Sequence, residues 1–370
     1  MLFDPTPKKN KKELFDREEE LKELQNANVP MVMVLGNRRV GKTSLVRVFM
    51  NETRYPSLFI DCRRFSATES RIEDFAEAIA EAFETLNKKR GTIEKLLKNV
   101  EEIEFLKVRI KLKSPDLKKS IIEVFERINE LAERRRTFFY LIFDEAQNLR
   151  FFRRMHGIAF NEVFGYIYDS FSNVKIVLTG SEAGLLREFL GVEDEGSPLY
   201  GRYIKEIPLT PFSREDSLKF LELGFKEVGM EPRKEVLEMV VDELDGIVGW
   251  LVYFGRKCMD AGVINHDMIH EILKIAEGVV KAELDNIARL SIRYLAVLKV
   301  ISMGASKWKE IKSGVEFLER KRITDAAISR SLEKLEKMGF IEKVSDSFGD
   351  KVYKIVDPIV ARVCKEMRIG

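Results

Sequence analysis

Histidine and cysteine are both scarce, with three of each in 370 residues. The cysteines, Cys62, Cys258 and Cys364, are odd in number and far apart. They fit neither a disulfide framework nor a metal-binding spacing, so a reducing cytoplasm is the expected compartment. Three histidines are too few for an expected His-based metal site. No apolar run reaches the roughly 18–20 residues a membrane helix needs. The stretch Met1–Glu13 is polar and lysine-rich, without the apolar centre of a signal peptide. No membrane association is expected. Internal repeats and low-complexity tracts are missing, and so is a large excess of one charge: 63 Lys+Arg face 61 Asp+Glu. What is plentiful is charge of both signs, 34% of residues, beside 45% apolar residues. That mix resembles the Lys/Glu-rich surfaces of heat-adapted proteins. The length exceeds what one ordinary core uses, so two or three domains are expected.

Short apolar runs alternate with helical patterns in the first half. Met31–Gly36 (MVMVLG), Ser57–Cys62, Thr137–Phe143, Val174–Thr179 and Tyr203–Leu209 read as strands. Val40–Met50, Ile72–Leu86 and Asn161–Phe171 read as helices. Between them, Asn87–Lys119 holds an expected helix near Ile93–Val100, an alternating stretch Phe105–Leu112, and a helix start at Ser114-Pro115-Asp116. Phe151-Phe152-Arg153-Arg154 reads as a partly buried loop. Strands alternating with helices imply an α/β fold with a parallel sheet covered on both faces. After Pro211 the strand signal stops, and several helices follow to Ile292. From Ser291 the pattern is three helices and a hairpin: Tyr294–Ile301, Lys307–Ile311, Ala326–Met338, then Phe340–Val344 and Lys351–Val356. That order suggests a winged helix-turn-helix. The expected domains are a nucleotide-binding core at 1–209, a helical lid at 210–291 and the winged helix at 292–370.

Gly36-Asn37-Arg38-Arg39-Val40-Gly41-Lys42-Thr43 fits G-x-x-x-x-G-K-[ST] in full, between an apolar strand and a helix. Glycines let such a loop turn so that its amides converge on phosphate oxygens. The following helix, which carries the further candidate Ser44 just beyond the motif, aims its positive end at the same place. Lys42 reaches the β- and γ-phosphates, and Thr43 offers a hydroxyl to Mg²⁺. The side chains of Arg38 and Arg39 are expected to point into solvent. Asp144-Glu145, after the apolar run to Phe143, supplies the other half: Asp144 for Mg²⁺ and Glu145 as general base toward water. Thr179 or Ser181, at the end of Val174–Thr179, is the candidate polar group near the γ-phosphate. Arg202, just before the fifth strand, is the candidate for stabilising charge on the transferred phosphoryl group. The ligands expected are therefore ATP or ADP with Mg²⁺.

Together these residues resemble the archaeal ATPase family, a branch of the STAND class of P-loop NTPases with an AAA+-like core. The likeness rests on Phe15-Asp16-Arg17-Glu18-Glu19-Glu20-Leu21, GNRRVGKT, LIFDEAQ at Leu141–Gln147 and VLTGS at Val177–Ser181. It continues through LYGR at Leu199–Arg202, L-x-PF at Leu209–Phe212, Gly249-Trp250-Leu251 and Asp357-Pro358. The resemblance implies that Phe15 and Arg17 lie on the adenine side, although Asp16 stands where the family usually has glycine. It also implies a nucleotide contact from the helical lid. There Gly246-Ile247-Val248-Gly249-Trp250 carries valine where a proline is usual. Members are thought to be slow, nucleotide-dependent switches.

From Arg293 onward 17 Lys+Arg face 11 Asp+Glu, a surplus of six, whereas the remainder is short by four. Arg320-Lys321-Arg322, Ser329, Arg330 and Lys334 suit a DNA-facing helix, while Glu333 and Glu336 would repel phosphates. The partner is thus DNA or protein. The alternatives to a switch ATPase are an ATP-liganded DNA-binding protein resembling origin-recognition ATPases, with Arg256 as candidate lid arginine, and a non-catalytic scaffold.

Overall fold

The computed structural model describes residues 1–66, 71–88, 117–346 and 349–367. The helix expected near Ile93–Val100, the Phe105–Leu112 stretch and the Ser114-Pro115-Asp116 start lie outside them. Two compact units are present, one of residues 8–36 and 42–209, the other of 1–7, 37–41 and 210–370.

The first unit is built on five parallel strands: β1 (Met31–Leu35), β2 (Ser57–Asp61), β3 (Phe139–Asp144), β4 (Val174–Gly180) and β5 (Lys205–Pro208), in the order β2-β3-β4-β1-β5. Every residue of β1 and β3 is buried. That explains their unbroken apolar runs, since a parallel sheet is covered on both faces. Helices α1 (Glu18–Asn26), α2 (Lys42–Glu52), α3 (Ile72–Lys88), α4 (Leu117–Arg134), α5 (Arg150–His156), α6 (Phe160–Ser170) and α7 (Ala183–Leu190) accompany it.

Helix α5 corrects the expected loop at Phe151–Arg154. Phe152 is fully buried and meets Phe65, Phe75 and Phe160 at ring-centroid distances of 4.9, 5.7 and 5.5 Å. The turn forms because this ring fills the core. Gly157, in the left-handed region, then closes the helix through its N–H to the Arg153 carbonyl.

The second unit contains α8 (Arg214–Glu227), α9 (Lys234–Leu244), α10 (Val248–Ala261), α11 (His266–Ala288), α12 (Ile292–Ser302), α13 (Trp308–Glu319), α14 (Asp325–Lys337), the antiparallel pair β6 (Ile341–Ser345) and β7 (Lys351–Ile355), and α15 (Pro358–Glu366). Its core reaches the chain start. Phe3 is fully buried against α8 and α10, where Gly224 and Gly255 leave room: an added Cβ would lie 2.3 and 2.4 Å from its ring. Helices α12 to α14 and the β6–β7 hairpin form the winged helix. Trp250 is buried and Trp308 half-buried, as packing residues. Helix α15 was not foreseen, although Asp357-Pro358 is a start signal: Asp357 accepts from the Ile359 N–H, and proline occupies the first turn. Arg362 then ties α15 to Glu277 of α11 at 2.8 Å and Glu243 of α9 at 3.1 Å.

Among the described residues, no helix is long and apolar enough to cross a membrane.

Candidate nucleotide site

The strand order brings the chemistry together. β4 lies between β1 and β3, so the loop after β1, the acids after β3 and the polar end of β4 share the carboxyl edge of the sheet. Gly41 at φ +98° lets the loop turn into α2, which begins at Lys42. Lys42 is buried at 5% exposure. Its Nζ donates to the Gly36 carbonyl at 2.8 Å and lies 3.7 Å from Glu145 Oε1. The loop and the acid pair therefore face each other.

Asp144 is fully buried. It accepts from Thr43 Oγ1 at 2.9 Å and from Thr179 Oγ1 at 2.6 Å. Burial, with the neighbouring Glu145 charge, pushes its carboxyl above the ordinary range, against those two hydrogen bonds. Thr179 Oγ1 also accepts the Glu145 N–H at 2.9 Å, so one hydroxyl fixes both acids. Glu145 Oε2 accepts from Ser181 Oγ at 2.6 Å, Ser181 N–H at 2.9 Å and Gln147 Nε2 at 2.7 Å. Burial would raise the Glu145 carboxyl, but Lys42 and the Ser181 and Gln147 hydrogen bonds outweigh it and hold the group below its usual value. Glu145 itself sits at φ +55°, in the left-handed region. A non-glycine residue there stores strain and persists only where its surroundings fix it. The left-handed turn leaves its carboxylate 3.7 Å from Lys42.

Thr43 and Asp144 also fit Mg²⁺. They are hard oxygen donors and already neighbours. Mg²⁺ is usually held by one or two such groups plus phosphates and water.

Sequence reading left open whether Thr179 or Ser181 serves the site. The structure places Thr179 on Asp144 and Ser181 on Glu145. Gln147 was part of the LIFDEAQ string but had no assigned role, since nothing in a sequence says which way the turn after Glu145 folds. Ser44, next to Thr43, accepts the Lys8 N–H at 3.1 Å. Asn51 Nδ2 donates to the Lys9 carbonyl, so the segment leading to Phe15 runs along α2. Phe15 is half-buried, and Arg17, buried just before α1, pairs with Glu20 at 3.2 Å.

Two expectations are corrected. Arg202 is not brought to this site. It pairs with Asp169 at 3.0 Å near the end of α6, three residues before β5 begins. A chain entering a parallel strand starts from the sheet's amino edge. Arg202 therefore lies at the edge opposite the phosphate loop. Second, Arg38 and Arg39 are not simply solvated. Arg39 is in the left-handed region at φ +66°. Its carbonyl accepts the Gly249 N–H at 2.9 Å and its guanidinium lies 4.4 Å over the Trp250 ring. It pairs with Glu283 at 2.6 Å and stands 4.0 Å from Asp357, while Arg38 meets Glu283 at 3.1 Å. Residues so far apart in sequence carry no local signal of meeting. Arg256, the candidate lid arginine, forms an exposed pair with Asp260 at 2.9 Å.

A parallel sheet of this order, with the phosphate loop after β1 and the buried acid pair after β3, defines a P-loop ATPase fold followed by helices and a winged helix. The chain belongs to the family of ATPase domains found predominantly in Archaea, whose pattern matches residues 14–254. Residues 286–356 match the C-terminal winged helix-turn-helix domain of MCM proteins. The chain is similar over its whole length to the Walker-type ATPase paby2304 of Pyrococcus abyssi, at 36% identity and a TM-score of 0.86, covering 99% of this chain and 100% of that one. It shares its fold with the Aeropyrum pernix ORC2 protein, solved in ADPNP–ADP complexes, at 12% identity and a TM-score of 0.50, covering 98% and 97%. No curated protein matches the sequence.

Proposed function

We propose that this protein binds Mg-ATP and hydrolyses it slowly, as a STAND-type switch whose nucleotide state controls domain arrangement and partner binding. The observation that carries the hydrolytic part is the Glu145 carboxylate. It is oriented by Ser181 and Gln147, kept ionised, and set beside Lys42 and Asp144. In this reading a water oxygen bonds to the γ-phosphorus as the bond from that phosphorus to the ADP oxygen breaks. The bond pair leaves on ADP, and Glu145 takes the water proton. Lys42 and the loop amides offset the phosphate charge. Thr43 and Asp144 would hold Mg²⁺, which would supply further positive charge against the phosphates.

The switch part is supported by Arg39. The residue that shapes the phosphate loop is tied to α10 through Gly249 and Trp250, to α11 through Glu283, and to the start of α15 through Asp357. A shift of the loop is felt at all three. Three buried, unpaired cysteines suit a reducing cytoplasm.

For the winged helix we favour a protein-facing or structural role over DNA reading. On α14, Glu333 pairs with Lys337 at 2.8 Å, and Arg330 Nε turns back onto the Ala326 carbonyl. Asp325 pairs with Lys312, and Lys307 with Asp350. Much of its basic charge is met within the domain.

The test is turnover measured by phosphate release for wild type, Lys42→Ala and Glu145→Gln. The proposal expects Mg²⁺-dependent release from wild type only. A Glu145→Gln protein that turns over like wild type removes the assigned base.

A further inference from the structure

Phosphoryl-transfer sites commonly add an arginine to their lysine and Mg²⁺, and Arg202 stands at the far edge of the sheet. Another arginine lies at the near edge. Asp61, the last residue of β2, sits beside Asp144 in the parallel ladder. Neighbouring strands run about 4.8 Å apart. The chain then makes a single 3-10 turn, Cys62–Arg64, capped by the Asp61 side chain, which accepts the Arg63 N–H at 3.0 Å. That turn is fastened to the one after Glu145, because Asn148 Nδ2 donates to the Cys62 carbonyl at 3.3 Å. The Asp61 carboxylate takes the Arg63 side chain in a two-pronged pair, Nε at 2.8 Å and Nη2 at 2.5 Å. Such forks fix a guanidinium plane as well as its position. Only one edge of the guanidinium is used, and half of the side chain remains exposed.

We infer that Arg63 is the arginine that stabilises charge on the transferring phosphoryl group within this chain, with Asp61 as the positioning residue that aims it. The Asp61 hydrogen bonds raise the Arg63 guanidinium above its ordinary range, and the Asp144 and Glu145 carboxylates add to this from across the turn. The sheet thus presents its charges in order along one edge: Lys42 after β1, the acids after β3, Arg63 after β2. The unused donors of Arg63 gain most when negative charge grows on the γ-oxygens, so the contact favours the transition state over bound ATP.

The inference rests on the ATPase reading above, and the experiment separates the two. Arg63→Ala, Arg63→Lys and Asp61→Asn are compared with wild type for kcat and KM. Affinities for Mg-ADP and for the Mg-ADP–fluoroaluminate transition-state mimic are measured by calorimetry. Loss of a charge-stabilising donor or arginine costs on the order of 10²–10³ or more in rate. We expect Arg63→Ala to lose about that factor in kcat with KM within a few-fold. Its fluoroaluminate affinity should fall in parallel while its ADP affinity holds. Arg63→Lys should recover part of the loss, and Asp61→Asn should lose roughly tenfold, less than Arg63→Ala, for an arginine that is present but less well aimed. An active wild type with Arg63→Ala within twofold overturns the inference alone. So does a loss of ADP affinity and melting temperature equal to the loss of turnover, which marks a structural residue. A wild type without turnover overturns the ATPase reading and this inference with it.

Discussion

The carboxyl edge of the sheet and the cluster around Arg39 are both polar and substantially buried, yet they are assembled differently. At the sheet edge, Lys42, Thr43, Asp144, Glu145 and Thr179 stand at or just past the ends of adjacent strands, and the order β3-β4-β1 brings them together. Around Arg39, the partners Trp250, Glu283 and Asp357 come from two helices and the start of a third. The first arrangement is as rigid as the sheet. The second depends on how helices pack, and it changes when they shift. Chemistry belongs on the first kind of support and coupling on the second.

The largest effect is expected at Lys42. Lys42→Ala should weaken ADP binding at least about a hundredfold in a fluorescent-nucleotide titration, since it removes a buried cation aimed at the phosphates. Glu145→Gln should lower turnover by about 10²–10⁴ and leave nucleotide affinity within a few-fold. Equal losses in both quantities would assign Glu145 to binding rather than to chemistry. Thr179→Ala should lower turnover about tenfold. It leaves Asp144 and the Glu145 N–H each short of a partner, a cost of about 1–3 kcal/mol apiece that denaturant unfolding should register. The Arg39 cluster should respond more weakly. Glu283→Gln should alter the ratio of ATP to ADP affinity by about five- to tenfold, within the range of ordinary coupling energies. Its kcat at saturating ATP should barely move. Asp357→Ala should cost about 1 kcal/mol of stability through the lost helix cap.

The two regions also differ in how far the sequence disclosed them. The β1 and β3 runs were legible because burial on both faces demands uninterrupted apolar residues, and β2 and β4 because their centres are apolar too. The phosphate loop was legible because its glycines and lysine have few other uses at that spacing. Asp144 and Glu145 followed from the strand before them. The partners of those acids were only half legible. Thr179 and Ser181 stood as alternatives because strand periodicity does not say which neighbour each side chain meets. Arg202 was misplaced for the converse reason: the residues resemble a family motif, but the start of a parallel strand lies at the wrong edge of the sheet. Phe152 looked like loop because its helix is under two turns long and is stabilised by an aromatic core drawn from α3, α6 and the segment after β2. Arg39 meeting Glu283 and Asp357 was not legible at all. Contacts spanning hundreds of residues are set by helix packing and leave no periodic trace.

On the proposed mechanism, Glu145 acts on water and not on nucleotide affinity. Wild type and Glu145→Gln can each be incubated with Mg-ATP, separated from free nucleotide by gel filtration, and the retained nucleotide identified by chromatography. Wild type should retain ADP and Glu145→Gln intact ATP. ADP on both proteins, or ATP retained unchanged on both, would contradict that mechanism.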